Sequence, residues 1–159
     1  MINIDELDAR ILMLVQKDAR HSSEAIAKTL HVSSPTVRRR IKRLEENGVL
    51  KIYAHVETAL VGLPITAIFA FYINPNKLNS AVKELGKKME FTWLVSTSGR
   101  FNVIARGHFA SAENVYSFLK DEISNVEGIV NSETFICLHT EKAFFMNADI
   151  VPAKLRGTK

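Results

Sequence analysis

The sequence predicts an α+β protein: an N-terminal helix-turn-helix unit of winged-helix-like kind, followed by a ferredoxin-like βαββαβ sandwich. Three observations carry that prediction. Residues 22–50 hold two short amphipathic helices around a tight turn, the second of them strongly basic. Beyond Pro64 the apolar residues follow the order strand, helix, strand, strand, helix, strand. Residues 65–73 are apolar on both alternating sides, which a sheet with one solvated face would not be.

Leu7, Ile11, Leu14 and Val15 set out a first helix beginning at Asn3 or Asp5. Asp5, Glu6 and Asp8 fall in its first turn, where acidic side chains complement the positive end of the helix dipole. Ile26 and Leu30 of a second helix face the same small core, and Ala27 lets the next helix come close. A turn at His31-Val32-Ser33 follows. The third helix is expected to open with Ser34 as N-cap and Pro35 at the first helical position, where a missing N–H costs nothing. Val37, Ile41 and Leu44 recur at i, i+4 and i+7 and pack inward. At about 100° per residue, Pro35, Arg39 and Lys42 point directly away from that stripe. Arg38 lies on one flank, Thr36 and Arg43 on the other, and Arg40 falls nearer the packed side. Asn47-Gly48 ends the helix, and residues 49–53 read as a short strand.

A helix N-terminus with small polar residues and a basic outer face suits insertion into the major groove of duplex DNA. The candidate DNA contacts are Ser33, Ser34, Pro35, Thr36, Arg38, Arg39, Lys42 and Arg43. A basic face is also what a merely solvated helix presents, and Glu45 and Glu46 follow the arginines. The three-helix context favours the DNA reading.

Residues 54–63 lack periodicity and carry Gly62 just before Pro64, so they read as a linker. Residues 65–73 form a strand ended by the turn Asn74-Pro75-Asn76. Leu78, Val82, Leu85 and Met89 mark a helix face, and residues 91–97 a second strand. Ser98-Gly99-Arg100 is a hairpin turn into a third strand over 101–109. Ser111 caps a second helix with Glu113 in its first turn, and Val115, Phe118, Leu119 and Ile123 line its buried face. Gly128 precedes a last strand over 129–138. The domain plan is therefore a helix-turn-helix domain over 1–53, a linker over 54–63, a βαββαβ domain over 64–145 and a tail over 146–159.

A four-stranded sheet with both helices on one face leaves the other face bare. Ile65, Ala67, Phe69, Phe71 and Ile73 lie on one side of the first strand, Ile68, Ala70 and Tyr72 on the other. An uncovered apolar face of that size is an association surface, and paired helix-turn-helix units read paired half-sites. Both arguments lead to a homodimer.

Composition limits the remaining possibilities. The 159 residues allow one or two small domains, and 47% hydrophobic residues are ordinary for a globular chain. The formal charge of +4 is compatible with a polyanionic partner without requiring one. Residues 1–60 carry ten Lys and Arg against eight Asp and Glu, an excess of two, so local arrangement matters more than net charge. Cys137 is the only cysteine, which rules out an intrachain disulfide and a cysteine zinc cluster. No signal-like apolar region and no membrane-length apolar run is present, so a cytoplasmic protein with no membrane partner is expected.

In this order, a helix-turn-helix, a linker and a βαββαβ domain resemble the Lrp/AsnC family of transcription regulators. The resemblance rests on residues 4–12 (IDELDARIL), 25–50, 99–103 (GRFNV) and 128–134 (GIVNSET). The run 40–49, RIKRLEENGV, is especially like that family's recognition helix and its exit. The resemblance implies a DNA-binding dimer that assembles further into tetramers, octamers or larger rings. It also implies a C-terminal domain that senses a small molecule, usually an amino acid. Carried over residue by residue, the candidate effector contacts are Gly99, Arg100, Phe101, Asn102, Ser132 and Thr134. An amino acid needs donors for its carboxylate and acceptors for its ammonium. Three positions depart from the family pattern: Asn102 stands where Asp is usual, His31 where Gly is common in the turn, and Ile52 where Gly is usual before Tyr53. The first removes a negative charge from the sensing turn.

Cys137 and His139 share a strand side and His108 lies on another strand, a set more consistent with packing and surface roles than with a metal site. No catalytic spacing of Ser, His and acid, and no glycine-rich phosphate loop, stands out. A non-enzymatic regulator needing no cofactor is the expectation. Two other readings stay open: an architectural DNA-wrapping protein without effector, and an enzyme resembling the sirohaem decarboxylases, which share the two-domain plan.

Overall fold

The computed structural model describes residues 3–141, which divide after Ala54 into an N-terminal unit and a second unit over residues 55–140. The tail expected over 146–159, and residues 142–145, lie outside the described residues.

The first unit holds α1 (Glu6–Lys17), α2 (Ser23–Leu30) and α3 (Ser34–Glu46). Asp5 caps α1 in a reciprocal box: its carboxylate accepts from the Asp8 N–H at 2.9 Å, and Asp8 accepts from the Asp5 N–H at 3.2 Å. Ser22 caps α2. Ala9, Ile11, Val15, Ile26, Ala27, Leu30, Val37, Leu44 and Leu50 are buried, with Leu7, Leu14 and Ile41 packed against them. The inward stripe of α3 is therefore the one expected.

The turn between α2 and α3 is set by His31 at φ 56°, ψ 44°, the one non-glycine residue with positive φ among those described. Its left-handed conformation lets the Val32 N–H bond back to the Ala27 carbonyl at 3.1 Å. Ser33, not Ser34, is the N-cap of α3: its hydroxyl accepts from the Thr36 N–H at 3.3 Å. Ser34 is already helical and turns its own hydroxyl to Glu24. The strand expected over residues 49–53 does not form. Val49 and Leu50 both donate to the Leu44 carbonyl and Leu50 is buried, but the chain then runs on with no neighbouring strand among the described residues to ladder against.

The second unit contains β1 (Ile65–Ile73), α4 (Leu78–Leu85), β2 (Phe91–Ser96), β3 (Val103–Phe109), α5 (Ala112–Ser117) and β4 (Ile129–Ile136). A π-helical turn over Phe118–Ile123 continues α5. The residues expected as linker contribute a 3-10 turn, Thr58–Val61, and Thr58 Oγ1 lies 3.3 Å from His108 Nδ1 on β3. The sheet order is β2-β3-β1-β4, antiparallel throughout, which is the ferredoxin-like arrangement. Phe69 and Phe71 project from the central strand into a core with Ala81, Leu85, Val115, Phe118 and Ile123. Phe69 packs against Phe91, Phe109 and Phe118 edge to face at 5.3–5.8 Å. Met89 lies beyond the end of α4 and is exposed, because the helix stops at Leu85. β3 begins at Val103 rather than 101, and β4 ends at Ile136. Gly128 is required where β4 begins: φ is 98°, and a Cβ there would stand 2.5 Å from Lys77 Cβ.

Register separates the two faces of the sheet. Ile68 lies opposite Arg106 and Phe135, Ala70 opposite Ile104 and Glu133, and Tyr72 opposite Asn131. These side chains share the face that α4 and α5 leave uncovered. Tyr72, Trp93 and Phe135 are exposed there. Among the described residues no helix is long and apolar enough to cross a membrane, and no three His, Cys, Asp or Glu side chains gather as a metal-ligand group.

Candidate nucleic-acid interface

The outer side of α3 carries Pro35, Arg38, Arg39 and Lys42, all exposed, with Thr36 and Arg43 half-buried at its margin. Two neighbouring hydroxyls close its N-terminus, Ser33 Oγ lying 2.7 Å from Thr36 Oγ1. The charges on this face differ in how firmly they are held. Arg38 donates to Glu24 of α2 at 3.1 Å, and the same carboxylate oxygen accepts from Ser34 Oγ at 2.8 Å. These contacts, the Ser34 hydroxyl foremost, hold the Glu24 carboxyl below its usual range. Lys42 faces Glu46 one turn on, at 3.8 Å. Arg39 has no polar partner among the described residues and stands away from the packed stripe.

Arg40 and Arg43 turn the other way. Arg40 Nη1 donates to Asp5 Oδ2 at 2.5 Å and to Asp8 Oδ1 at 2.9 Å, and Arg43 Nη2 donates to Asp8 Oδ2. The Arg40 hydrogen bond holds the Asp5 carboxyl below its usual range. Arg40 is thus structural, as its position nearer the stripe suggested. Arg43, a candidate DNA contact by sequence, has its guanidinium engaged with a buried carboxylate. Sequence reasoning missed Glu24 and Asp8 as partners. The signal for Asp8 was present: it shares the inward stripe of α1 with Ile11 and Val15, an odd place for an acid with no cation to meet it.

In the second unit, Gly99, Arg100, Phe101 and Asn102 form the turn between β2 and β3. Gly99 has φ 143°, a conformation an L side chain rarely adopts. Asn102 is committed to the backbone. Its Oδ1 accepts from the Ile73 N–H at 2.9 Å, its Nδ2 donates to the Ile73 carbonyl at 2.7 Å, and its own N–H donates to the Phe71 carbonyl at 3.0 Å. Arg100 lies over the Phe101 ring, 5.1 Å from its centroid, and donates to Glu133 Oε1 at 2.6 Å. Ser132 and Thr134 lie opposite Phe71 and Phe69, so they share the helix-covered side of edge strand β4, while Glu133 between them faces the other way. The turn therefore meets β4 through Glu133, which the sequence did not single out, rather than through Ser132 or Thr134.

Comparison with known proteins matches both units. Residues 4–45 match the AsnC-type helix-turn-helix domain, and residues 66–145 the Lrp/AsnC ligand binding domain. An uncharacterized HTH-type transcriptional regulator of Pyrococcus furiosus is 32% identical over 140 residues, covering 87% of this chain and 95% of that protein. E. coli AsnC superposes with a TM-score of 0.83 at 22% identity, over 89% of this chain and 97% of that one. A transcriptional regulator of Neisseria meningitidis, solved as an L-Met complex, gives a TM-score of 0.82 at 19% identity, over 89% and 94%.

Proposed function

The chain belongs to the Lrp/AsnC family of DNA-binding transcriptional regulators, and we propose that it reads specific duplex sites through α3 as a homodimer under small-molecule control. The observation that carries the DNA part is the outward guanidinium of Arg39, without a polar partner among the described residues and flanked by Arg38 and Lys42 on a helix fixed by its opposite face. A free guanidinium on a groove-sized helix can donate two parallel hydrogen bonds to a guanine edge. Replacing Arg39 with Ala should weaken binding to the preferred duplex by about 1–3 kcal/mol and relax preference at one base position. Equal loss on every duplex would make Arg39 a phosphate contact, and no loss would remove it from the interface.

The small molecule in this reading is an amino acid, which shifts the balance between assembly states, dimer to tetramer or octamer, and so alters DNA affinity. A structural neighbour was solved with L-Met, and here the 99–102 turn and β4 offer groups of the right kind. Arg100 can meet a carboxylate and Glu133 an ammonium on one side of β4, while the Ser132 and Thr134 hydroxyls lie on its other side. Calorimetric titration with individual L-amino acids tests this. A variant carrying Arg100→Ala with Glu133→Gln should lose the heat of binding yet keep DNA affinity, and an intact heat would move the site off this pair. A regulator of this kind acts where the chromosome lies, so cytoplasmic placement belongs to the same reading.

A further inference from the structure

We propose that Asp8 is a positioning residue for DNA reading: it pins α3 through Arg40 and Arg43 and withholds Arg43 from the phosphate backbone. This rests on the reading that α3 faces the duplex.

Asp8 is fully buried, the one buried charged side chain among those described. A carboxylate taken out of water needs charged partners and filled hydrogen-bonding sites, and Asp8 has both. Its Oδ1 accepts from Arg40, and its Oδ2 accepts from Arg43 and from the Asp5 N–H. Moving Arg43 onto a phosphate would strip one of two cations from a buried anion, so the guanidinium stays where it is.

The geometry adds a second consequence. Arg40 and Arg43 are three residues apart on α3, roughly 4.5 Å along its axis. Two attachments to one α1 residue resist rolling of α3 about its axis, which a single attachment would permit. The cluster of Asp5, Asp8, Arg40 and Arg43 is neutral as a set, two acids against two bases. Counted the same way, Arg38 faces Glu24 and Lys42 faces Glu46, so the uncompensated charge on the outer side of α3 is that of Arg39. Arg43, half-exposed at the margin, looks from the sequence like one more phosphate contact and is spent inside the protein.

The test measures binding of the full chain to its preferred duplex and to a scrambled duplex by fluorescence anisotropy across a salt series. Arg39→Ala should weaken binding to the preferred duplex roughly tenfold or more if α3 faces the duplex. Arg43→Gln should leave the slope of log K against log salt unchanged, leave scrambled-duplex affinity unchanged, and lower preferred-duplex affinity roughly tenfold, near the loss of one base contact. Asp8→Asn, if circular dichroism shows it folded, frees Arg43 and should raise the slope by about one while preference falls. A slope whose magnitude Arg43→Gln lowers by about one overturns the proposal and leaves the α3 reading intact. Unchanged binding of Arg39→Ala to every duplex overturns the α3 reading itself. Preference unaltered by Arg43→Gln overturns the positioning role, and that variant decides alone if Asp8→Asn does not fold.

Discussion

Asn102 shows how one side chain can take the place of a stretch of backbone. By offering Oδ1 to the Ile73 N–H and Nδ2 to the Ile73 carbonyl, it closes the end of β1 as a paired strand residue would. Asp, common at this position in the family, accepts but does not donate when ionised. Asn102→Asp would set a carboxylate oxygen against the Ile73 carbonyl, costing about 1–3 kcal/mol at neutral pH. The sign of its pH dependence follows. Protonation restores a donor in the folded state, so the folded pKa of the introduced acid is raised above its unfolded value. Its stabilising contribution is present below the unfolded pKa and lost as pH rises through the folded one. Asp5, held low by Arg40, erodes both proteins alike on acidification. Denaturant unfolding of the two at about pH 7 and pH 4 should therefore show a gap that narrows in acid; a constant gap would mean the side-chain bonds to Ile73 do not govern stability. The sequence marked Asn102 as unusual but not its partner, which lies 29 residues away along the chain. The inward place of Asp8 on α1 was legible, but its arginines were not, since they lie 32 and 35 residues on. Pairs of that separation leave no periodic trace.

Elements were more legible than contacts, because periodicity is local. The inward stripes of α1, α2 and α3, the cap at Ser111, and the βαββαβ order all follow from spacing and end chemistry, while the α3 cap fell one residue earlier than Ser34. The misreadings share a cause as well. Residues 49–53 have strand composition but no neighbouring strand among the described residues, and Met89 continues an apolar rhythm past the point where α4 ends. Pattern reports what a segment prefers, and tertiary partners decide what it becomes. The doubly apolar character of β1 was informative: one side became the phenylalanine core, while the other carries Ile68 and Tyr72 with Phe135 and Trp93 nearby. If that second side joins two copies, Tyr72→Lys with Phe135→Lys should shift the sedimentation mass from dimer to monomer without loss of helix signal. Both positions are exposed, so the fold should tolerate them. A variant still dimeric would place the interface elsewhere.

The molecule joins a helix that can enter a DNA groove to a sheet that can pair with its own kind. Neither half makes a regulator alone. One α3 spans too few base pairs to find a site among many, and a sheet dimer without α3 has nothing to read. The central claim is that the two features work as a pair. Selection of bound duplexes from a random pool with purified protein, at two salt concentrations, tests it most directly. The account predicts an enriched pseudo-palindrome with half-sites about one helical turn apart, retained at the higher salt. Salt-sensitive binding with no enriched sequence would contradict it and leave a protein that coats or wraps DNA without reading it.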